Sequence, residues 1–212
     1  MRHILLAFGL VALPATAIAE VELSYYGGAQ IASPSEVDVF GDTAIPDNTN
    51  TVTWVGRSFD APIYYGIRAT VWTPNSFGYG LDFSHNKVYP ETLPAGYDRL
   101  EFTDGLNTLT LNGYRRWENA LGPMTPYIGA GLGVAIPHVE VINGESETTG
   151  YQVTGPAAAW IAGASFPIND RWSMFGEYKG TYSQNSADLY SGGTLETDIV
   201  TNAVNVGISF QF

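Results

Sequence analysis

Residues 198–212 alternate strictly in side-chain character, and no other stretch constrains the fold of this chain as much. Val200, Asn202, Val204, Val206, Ile208, Phe210 and Phe212 fall on one face, and Thr201, Ala203, Asn205, Gly207, Ser209 and Gln211 on the other. A period of two over this length is a β-strand with one apolar face and one small or polar face. The same alternation recurs upstream. Val21, Leu23, Tyr25 and Ile31 oppose Glu22, Ser24, Tyr26 and Gln30; Ile67 and Val71 oppose Arg68, Thr70 and Trp72; Tyr79, Leu81 and Phe83 oppose Asp82 and Ser84. Leu109 and Leu111 oppose Thr110, Asn112, Tyr114 and Arg116; Ile128, Leu132 and Val134 oppose Tyr127, Gly129, Gly131 and Gly133. Trp160, Ala162 and Phe166 make a sixth face, and Trp172, Met174, Tyr178 and Tyr182 a seventh, opposite Phe175, Glu177 and Lys179. The expectation is an all-β, antiparallel fold of about eight strands.

Alternation alone does not say which face meets solvent, and a secreted β-sandwich or lipocalin-like barrel has the same pattern turned inside out. Two other signals favour the membrane. Residues 1–19 combine Arg2 and His3, an apolar run of about ten residues and the small Ala17-Ile18-Ala19, which reads as a cleaved secretory signal followed by a mature domain over 20–212. Connections also alternate in length: the joins near 73–76, 118–125 and 169–170 are short, whereas 32–62, 90–104, 143–155 and 183–197 are long. Short periplasmic turns and long external loops are the pattern of outer-membrane barrels, and a strand closing on an aromatic such as Phe212 resembles their C-terminal strand, which the barrel assembly machinery recognises. No segment after the signal approaches the ~20 apolar residues of a membrane helix, so a membrane-embedded chain must close into a barrel. The expected structure is an eight-stranded transmembrane β-barrel in the outer membrane of a Gram-negative bacterium, its four longer loops extracellular. Residues 51–59 are expected to extend the second strand above the bilayer.

The chain has a net charge of −12, which disfavours nucleic acid as a partner, and no cysteine, so no disulfide contributes. On the expected register Glu22, Arg68, Asp82, Arg116, Glu177 and Lys179 point inward. An eight-stranded lumen has room only for side chains, so these charges are expected to pair and close it rather than to form a diffusion pore. Tyr64, Tyr65, Trp72, Phe77, Tyr79, Tyr89, Trp117, Tyr127, Trp172 and Phe212 sit near strand ends and suit interfacial girdles. The Gly129, Gly131, Gly133 series lacks the spacing and the following helix of a nucleotide-binding loop; inward glycines make room for a bulky neighbour across the lumen. No phosphate loop, nucleophile elbow or nicotinamide fingerprint is present, and no flavin or nicotinamide is expected.

The external segments carry the chemistry. The stretch 97–107 holds Asp98, Arg99, Glu101, Asp104 and Asn107. With 21–30, 54–59, 85–89, 129–138 and 178–212, including Ser191-Gly192-Gly193-Thr194, it resembles the lipid A oxidases of rhizobial outer membranes over nearly all of the chain after the signal. The resemblance implies an oxidoreductase acting on lipid A of the outer leaflet, oxidising the proximal glucosamine, once its 1-phosphate is gone, to 2-aminogluconate with molecular oxygen.

Dioxygen reacts slowly with closed-shell sugars unless a metal or organic cofactor intervenes. After the signal only His85 and His138 remain as imidazoles, both near outer strand ends, with Asp98, Glu101, Asp104, Glu140, Asp188, Glu196 and Asp198 at similar height. The candidate catalytic residues are Asp104, Glu101, His85 and His138, and the candidate metal ligands His85, His138, Asp104 and Glu140. Two histidines and one carboxylate suit oxygen-activating iron; the carboxylates alone suit calcium or magnesium; polar headgroup-level residues with no metal role give the same composition. Arg57, Lys87 and Arg99 are the candidate substrate-binding cations, for which simple interfacial snorkelling is the plainer account. A non-enzymatic structural or adhesive surface barrel is the alternative function. A lipid A acyl hydrolase or transferase needs a Ser–His pair, and Ser84 and His85 point to opposite faces of one strand.

Overall fold

The computed structural model describes residues 20–144 and 146–212; the signal segment proposed for 1–19 lies outside the described residues. The strands are β1 (Glu20–Ala32), β2 (Ser35–Phe40), β3 (Asn48–Val52), β4 (Trp54–Val55), β5 (Tyr65–Trp72), β6 (Phe77–Pro90), β7 (Arg99–Arg116), β8 (Thr125–Asn143), β9 (Ser146–Tyr151), β10 (Gly155–Pro167), β11 (Trp172–Asp188) and β12 (Thr194–Gln211). Eight of these, β1, β5, β6, β7, β8, β10, β11 and β12, pair antiparallel in that order, and β1 pairs with β12 to close the wall. Closure leaves no open sheet edge in the wall, which is what a bilayer demands of a backbone with no water to bond.

The expected faces are the observed ones. Leu23, Ile67, Leu81, Leu111, Ile128, Leu132, Val204, Val206 and Ile208 stand exposed on the outer wall, Leu132 at 74% and Val206 at 70%. In water such a band would be costly; in a bilayer it is the favourable surface. Inside, Arg68 donates from Nε to Asp82 (2.8 Å) and from both terminal nitrogens to Glu177 (3.0 and 2.8 Å). Lys179 Nζ bonds Asp82 and the hydroxyls of Tyr26 and Ser84, and Tyr127 donates to Glu177 (2.7 Å). A ring of wall residues thus satisfies two buried cations and two buried carboxylates together. The closed wall, its apolar exterior and its polar interior make this a small outer-membrane β-barrel protein.

The wall rises well beyond the lipid. A transmembrane strand needs about 9–11 residues, whereas β7, β8, β11 and β12 have 18, 19, 17 and 18. On β12 the outward residues are Glu196 and Asp198 before the apolar run begins at Val200, while inward Leu195 and Ile199 give way to Asn205 and Ser209. The polarity of both faces inverts near Thr201, where the strand passes from water into lipid. Above that level the interior is an ordinary apolar core that includes Val37, Val52, Trp54, Leu100, Phe102, Val139, Leu195 and Ile199.

Several expectations are corrected. The long connections at 143–155 and 183–197 are largely strand, and that at 90–104 is strand from Arg99 on: β7 begins at Arg99, β9 pairs with β8, and β11 runs to Asp188. Residues 51–59 do not extend β5; Thr51 and Val52 end β3, which pairs with β2, and β4 pairs with Pro90 and Tyr89 of β6. Arg116 pairs with Glu20 (2.9 Å) and Glu118 (3.1 Å), not with Glu22, which faces a cavity of about 330 Å³ at the turn end of the barrel. Tyr64, Trp72 and Tyr127 are buried inside the barrel rather than girdling it, whereas Phe77, Tyr79, Trp117, Trp172 and Phe212 are exposed. Gly129 makes room for the Tyr114 ring of the adjacent strand, its register partner, not for a group across the lumen.

Candidate functional site

Just above the apolar band, polar side chains collect on the outside of the wall, across β6, β7, β8 and β9. Alternation places them there: His85, Lys87 and Tyr89 continue the outward parity of Leu81 and Phe83 on β6, and His138 and Glu140 continue that of Val134 on β8. Between these strands β7 is irregular. Its register with β8 passes from Glu101↔Glu140 to Leu106↔Pro137, so four residues of β7 oppose two of β8, and its register with β6 shifts between Asn86 and Val88. A bulge of this kind re-aims a side chain out of the ladder. Here it pushes Asp104 outward between the two histidines. Gly105, at φ +113°, makes the turn, and any Cβ there would run into the His85 ring and the Asn107 amide.

Each imidazole is held with one nitrogen unengaged. His85 lies stacked on Tyr65 (centroids 5.1 Å apart), and its Nδ1 is 2.8 Å from the Asn107 carbonyl oxygen. With Nδ1–H donating to that oxygen, Nε2 carries the lone pair, and Nε2 is buried without a hydrogen-bond partner. Burial pushes the His85 pKa below the usual histidine value against the opposing Asn107 bond, so the ring is neutral at neutral pH. His138 meets the Tyr151 ring edge-on (4.8 Å), and its buried Nδ1 also lacks a hydrogen bond, lying 3.6 Å from Glu140 Oε1 and 4.0 Å from Asp104 Oδ2. Tyr151 OH donates to the Asp104 carbonyl (3.0 Å), pinning the bulge.

Asp104, His138 and Glu140 offer one ligand atom each, all within 4.8 Å of one another. Arg99 fixes the set from behind: Nη1 donates to Glu140 Oε2 (2.8 Å) and Nε lies 3.3 Å from Glu101, leaving Glu140 Oε1 turned to His138. Burial lifts the Glu101 carboxyl above its usual range, Arg99 opposes this, and neighbouring Glu140 adds to it. An orphaned buried imidazole nitrogen flanked by two carboxylates fits a divalent first-row ion that accepts mixed nitrogen and oxygen ligands. The group that comes together is Asp104, His138 and Glu140, while His85 stands apart from it beside Gly105 and Asn107.

The remaining candidates divide. Arg57 and Lys87 come together over one ring, Arg57 Cζ 4.5 Å and Lys87 Nζ 5.4 Å from the Tyr89 centroid. Arg99 is committed to Glu101 and Glu140 and is a positioning residue rather than a free cation. Asp198 is engaged by Tyr182, and Glu196 by Ser186, on the β11–β12 part of the wall. Asn107, Tyr65 and Tyr151, none of them a candidate site residue from the sequence, contact the imidazoles and the bulge. Asn107 follows the outward parity of Leu109 and Leu111, and that parity together with its pairing to His85 was the available signal.

No family model and no curated protein matches the chain. Among solved structures it is similar to Neisserial surface protein A, at 12% identity and a TM-score of 0.49 over 92% of this chain and 97% of that one. It is also similar to the N-terminal β-barrel domain of Pseudomonas aeruginosa OprF (14%, 0.46, over 93% and 100%) and to outer membrane protein AlkL (12%, 0.47, over 96% and 95%). At this distance no function passes from them to this chain.

Proposed function

We propose that this barrel is a lipid A-modifying oxidoreductase, oxidising the proximal glucosamine of 1-dephosphorylated lipid A to 2-aminogluconate with molecular oxygen. The observation that carries the reading is the side of the wall on which the chemistry sits. Two imidazoles with free ring nitrogens and two carboxylates face outward at headgroup height, where the substrates are lipids, and not into the lumen.

The reaction balances without an organic cofactor. The C1 hemiacetal gives up two electrons and two protons to dioxygen, yielding a lactone and hydrogen peroxide; water then opens the lactone to the carboxylic acid, a net gain of one oxygen atom. Only a sugar freed of its 1-phosphate has the C1 hydroxyl this requires. Asp104, His138 and Glu140 would hold a divalent redox metal, which supplies the one-electron steps that let triplet dioxygen react with a closed-shell sugar. His85 Nε2 accepts the C1 hydroxyl proton, and Asn107 and Tyr65 hold the ring for that transfer. Arg99 keeps Glu140 in place.

Purified protein given 1-dephosphorylated lipid A, oxygen and ferrous or manganous ion in turn should yield a product heavier by one oxygen atom, read by mass spectrometry, with peroxide formed in step and redox-inert calcium as the control. His85→Ala should lower turnover roughly a hundredfold or more, and Asn107→Leu should lower kcat with little change in KM, both with the barrel folded. No mass change with either redox metal would end the proposal. The folded β2–β3 hairpin on the external end also suits an adhesive surface barrel. That reading instead expects unchanged lipid A in cells with and without the protein.

A further inference from the structure

Above the closed eight-stranded barrel, strand pairing is interrupted beside the site. β1 pairs with β5 no higher than Gly27↔Tyr65, and β5 with β6 no higher than Tyr65↔His85, while β4 meets β6 again only at Tyr89 and Pro90. On this side of β6, Asn86–Val88 therefore has no strand partner. Gln30 of β1 fills part of the gap, its side-chain carbonyl accepting the Lys87 N–H (3.4 Å), while its own N–H donates to Ser58 Oγ (2.8 Å). The chain between β4 and β5 is held against Gln30 at Gly56 and Ser58 and then stands exposed as a flap over 59–63.

Two cations meet at this flap, Lys87 beneath it and the exposed Arg57 at its base. The Lys87 residue has 0% exposure, and its Nζ donates to the main-chain carbonyl of Asp60 (2.8 Å). Among the described residues neither Lys87 nor Arg57 is within salt-bridge distance of an acid, although the chain carries 21 acids against 9 Lys and Arg. Arg57 lies over Tyr89 with its backbone at φ +40°, a left-handed conformation that a non-glycine residue adopts at a cost. A buried ammonium satisfied by one carbonyl has two N–H donors left over, and a second cation beside it makes the pocket attractive to a multivalent anion. Outside the same flap Phe59 and Ile63 are exposed at 78% and 51%, next to the lipid band.

We propose that Lys87 and Arg57 form a phosphate socket for an outer-leaflet phosphoglycolipid, and that the flap 59–63 is its cover. The Asp60 carbonyl occupies the place of a phosphate oxygen; on binding, the phosphate replaces it on Lys87, the flap lifts, and Phe59 and Ile63 settle against acyl chains. On the oxidoreductase reading, which this deepens, the bound group is the phosphate that remains after C1 is freed, so the socket sets which end of the disaccharide meets His85.

The test reads binding, independently of turnover. Full-length protein in nanodiscs is titrated with 1-dephosphorylated lipid A, with fully dephosphorylated lipid A, and with inorganic phosphate or phosphatidylglycerol as competitors. The wild type should prefer the phosphorylated lipid at least tenfold. Lys87→Met and Arg57→Gln should each remove most of that preference, while Arg115→Gln at the opposite end should keep it. Because the chain has no cysteine, a spin label on Ala61→Cys reports the flap, and its mobility should change with the phosphorylated lipid only. Equal affinity for both lipids, competition by phosphatidylglycerol as strong as by the glycolipid, or full preference in a folded Lys87→Met/Arg57→Gln protein would each overturn the socket. Phosphate-dependent binding without oxidation would leave the socket standing and remove the enzyme; oxidation without phosphate preference would do the reverse.

Discussion

The residue on which the interior depends most is Arg68. Its guanidinium bridges Asp82 on β6 and Glu177 on β11, with Tyr26, Tyr114 and Phe175 packed around it at 5.3, 5.4 and 5.9 Å. Glu177 has no second cation within salt-bridge distance among the described residues, whereas Asp82 retains Lys179. Arg68→Met is therefore expected to strand the Glu177 charge and cost about 3–5 kcal/mol. Arg68→Met with Glu177→Leu should recover most of that loss, because no orphaned charge remains. Denaturant unfolding in lipid vesicles measures both, and a single variant as stable as the double one would contradict the account. The inward placement of all six lumen charges was legible from alternation. The partner of Arg116 was not, since strand register and not parity decides that Glu20 reaches it.

Among elements, β12 shows why part of the sequence misled. Its period of two runs unbroken from Thr194 to Gln211, but the meaning of each face reverses where lipid gives way to water. Leu195, Thr197 and Ile199 against Glu196 and Asp198 carried the signal, and so did Leu100 and Phe102 against Arg99 and Glu101. Reading these as loops hid the external core. The site was legible in its residues because both histidines and Asp104 fall at one height. Its ligand grouping was not, because the β7 bulge resets register, and nothing local in the sequence states its length. The β2–β3 hairpin is tied to the β11–β12 connection by Asp42, which accepts from Ser191 Oγ and from the amides of Ala44 and Ile45. Burial raises the Asp42 pKa, but these hydrogen bonds outweigh it, and the net value lies below the ordinary 3.8. A depressed carboxyl contributes stability above the unfolded-state pKa and loses it as pH falls through the folded one. The protection of the Ala44 and Ile45 amides, read as exchange relative to the intrinsic rate at each pH, should thus be high at neutral pH and fall as Asp42 becomes protonated in acid. Asp42→Asn should be weakly protected throughout, and an acid-insensitive wild type would contradict the tie.

For the whole molecule, closure at two levels determines where function resides. The Arg68–Asp82–Lys179–Glu177 cluster fills the lumen within the bilayer, and the apolar core of Trp54, Leu100, Phe102 and Ile199 fills it above. A cavity lined by Glu22, Trp72 and Tyr114 lies on the turn side of the cluster and ends against Arg68. A hydrated ion would have to displace a satisfied salt-bridge network and then pass a packed, largely apolar core, and each step opposes conduction. The lumen is thus blocked at two levels. Reconstituted into planar bilayers the protein should show no steady conductance across either polarity, and Lys87→Met/Arg57→Gln, which alters only the outer face, should stay equally silent. A stable ohmic current through the wild type would mean that the cluster opens, and would return the search for function to the lumen.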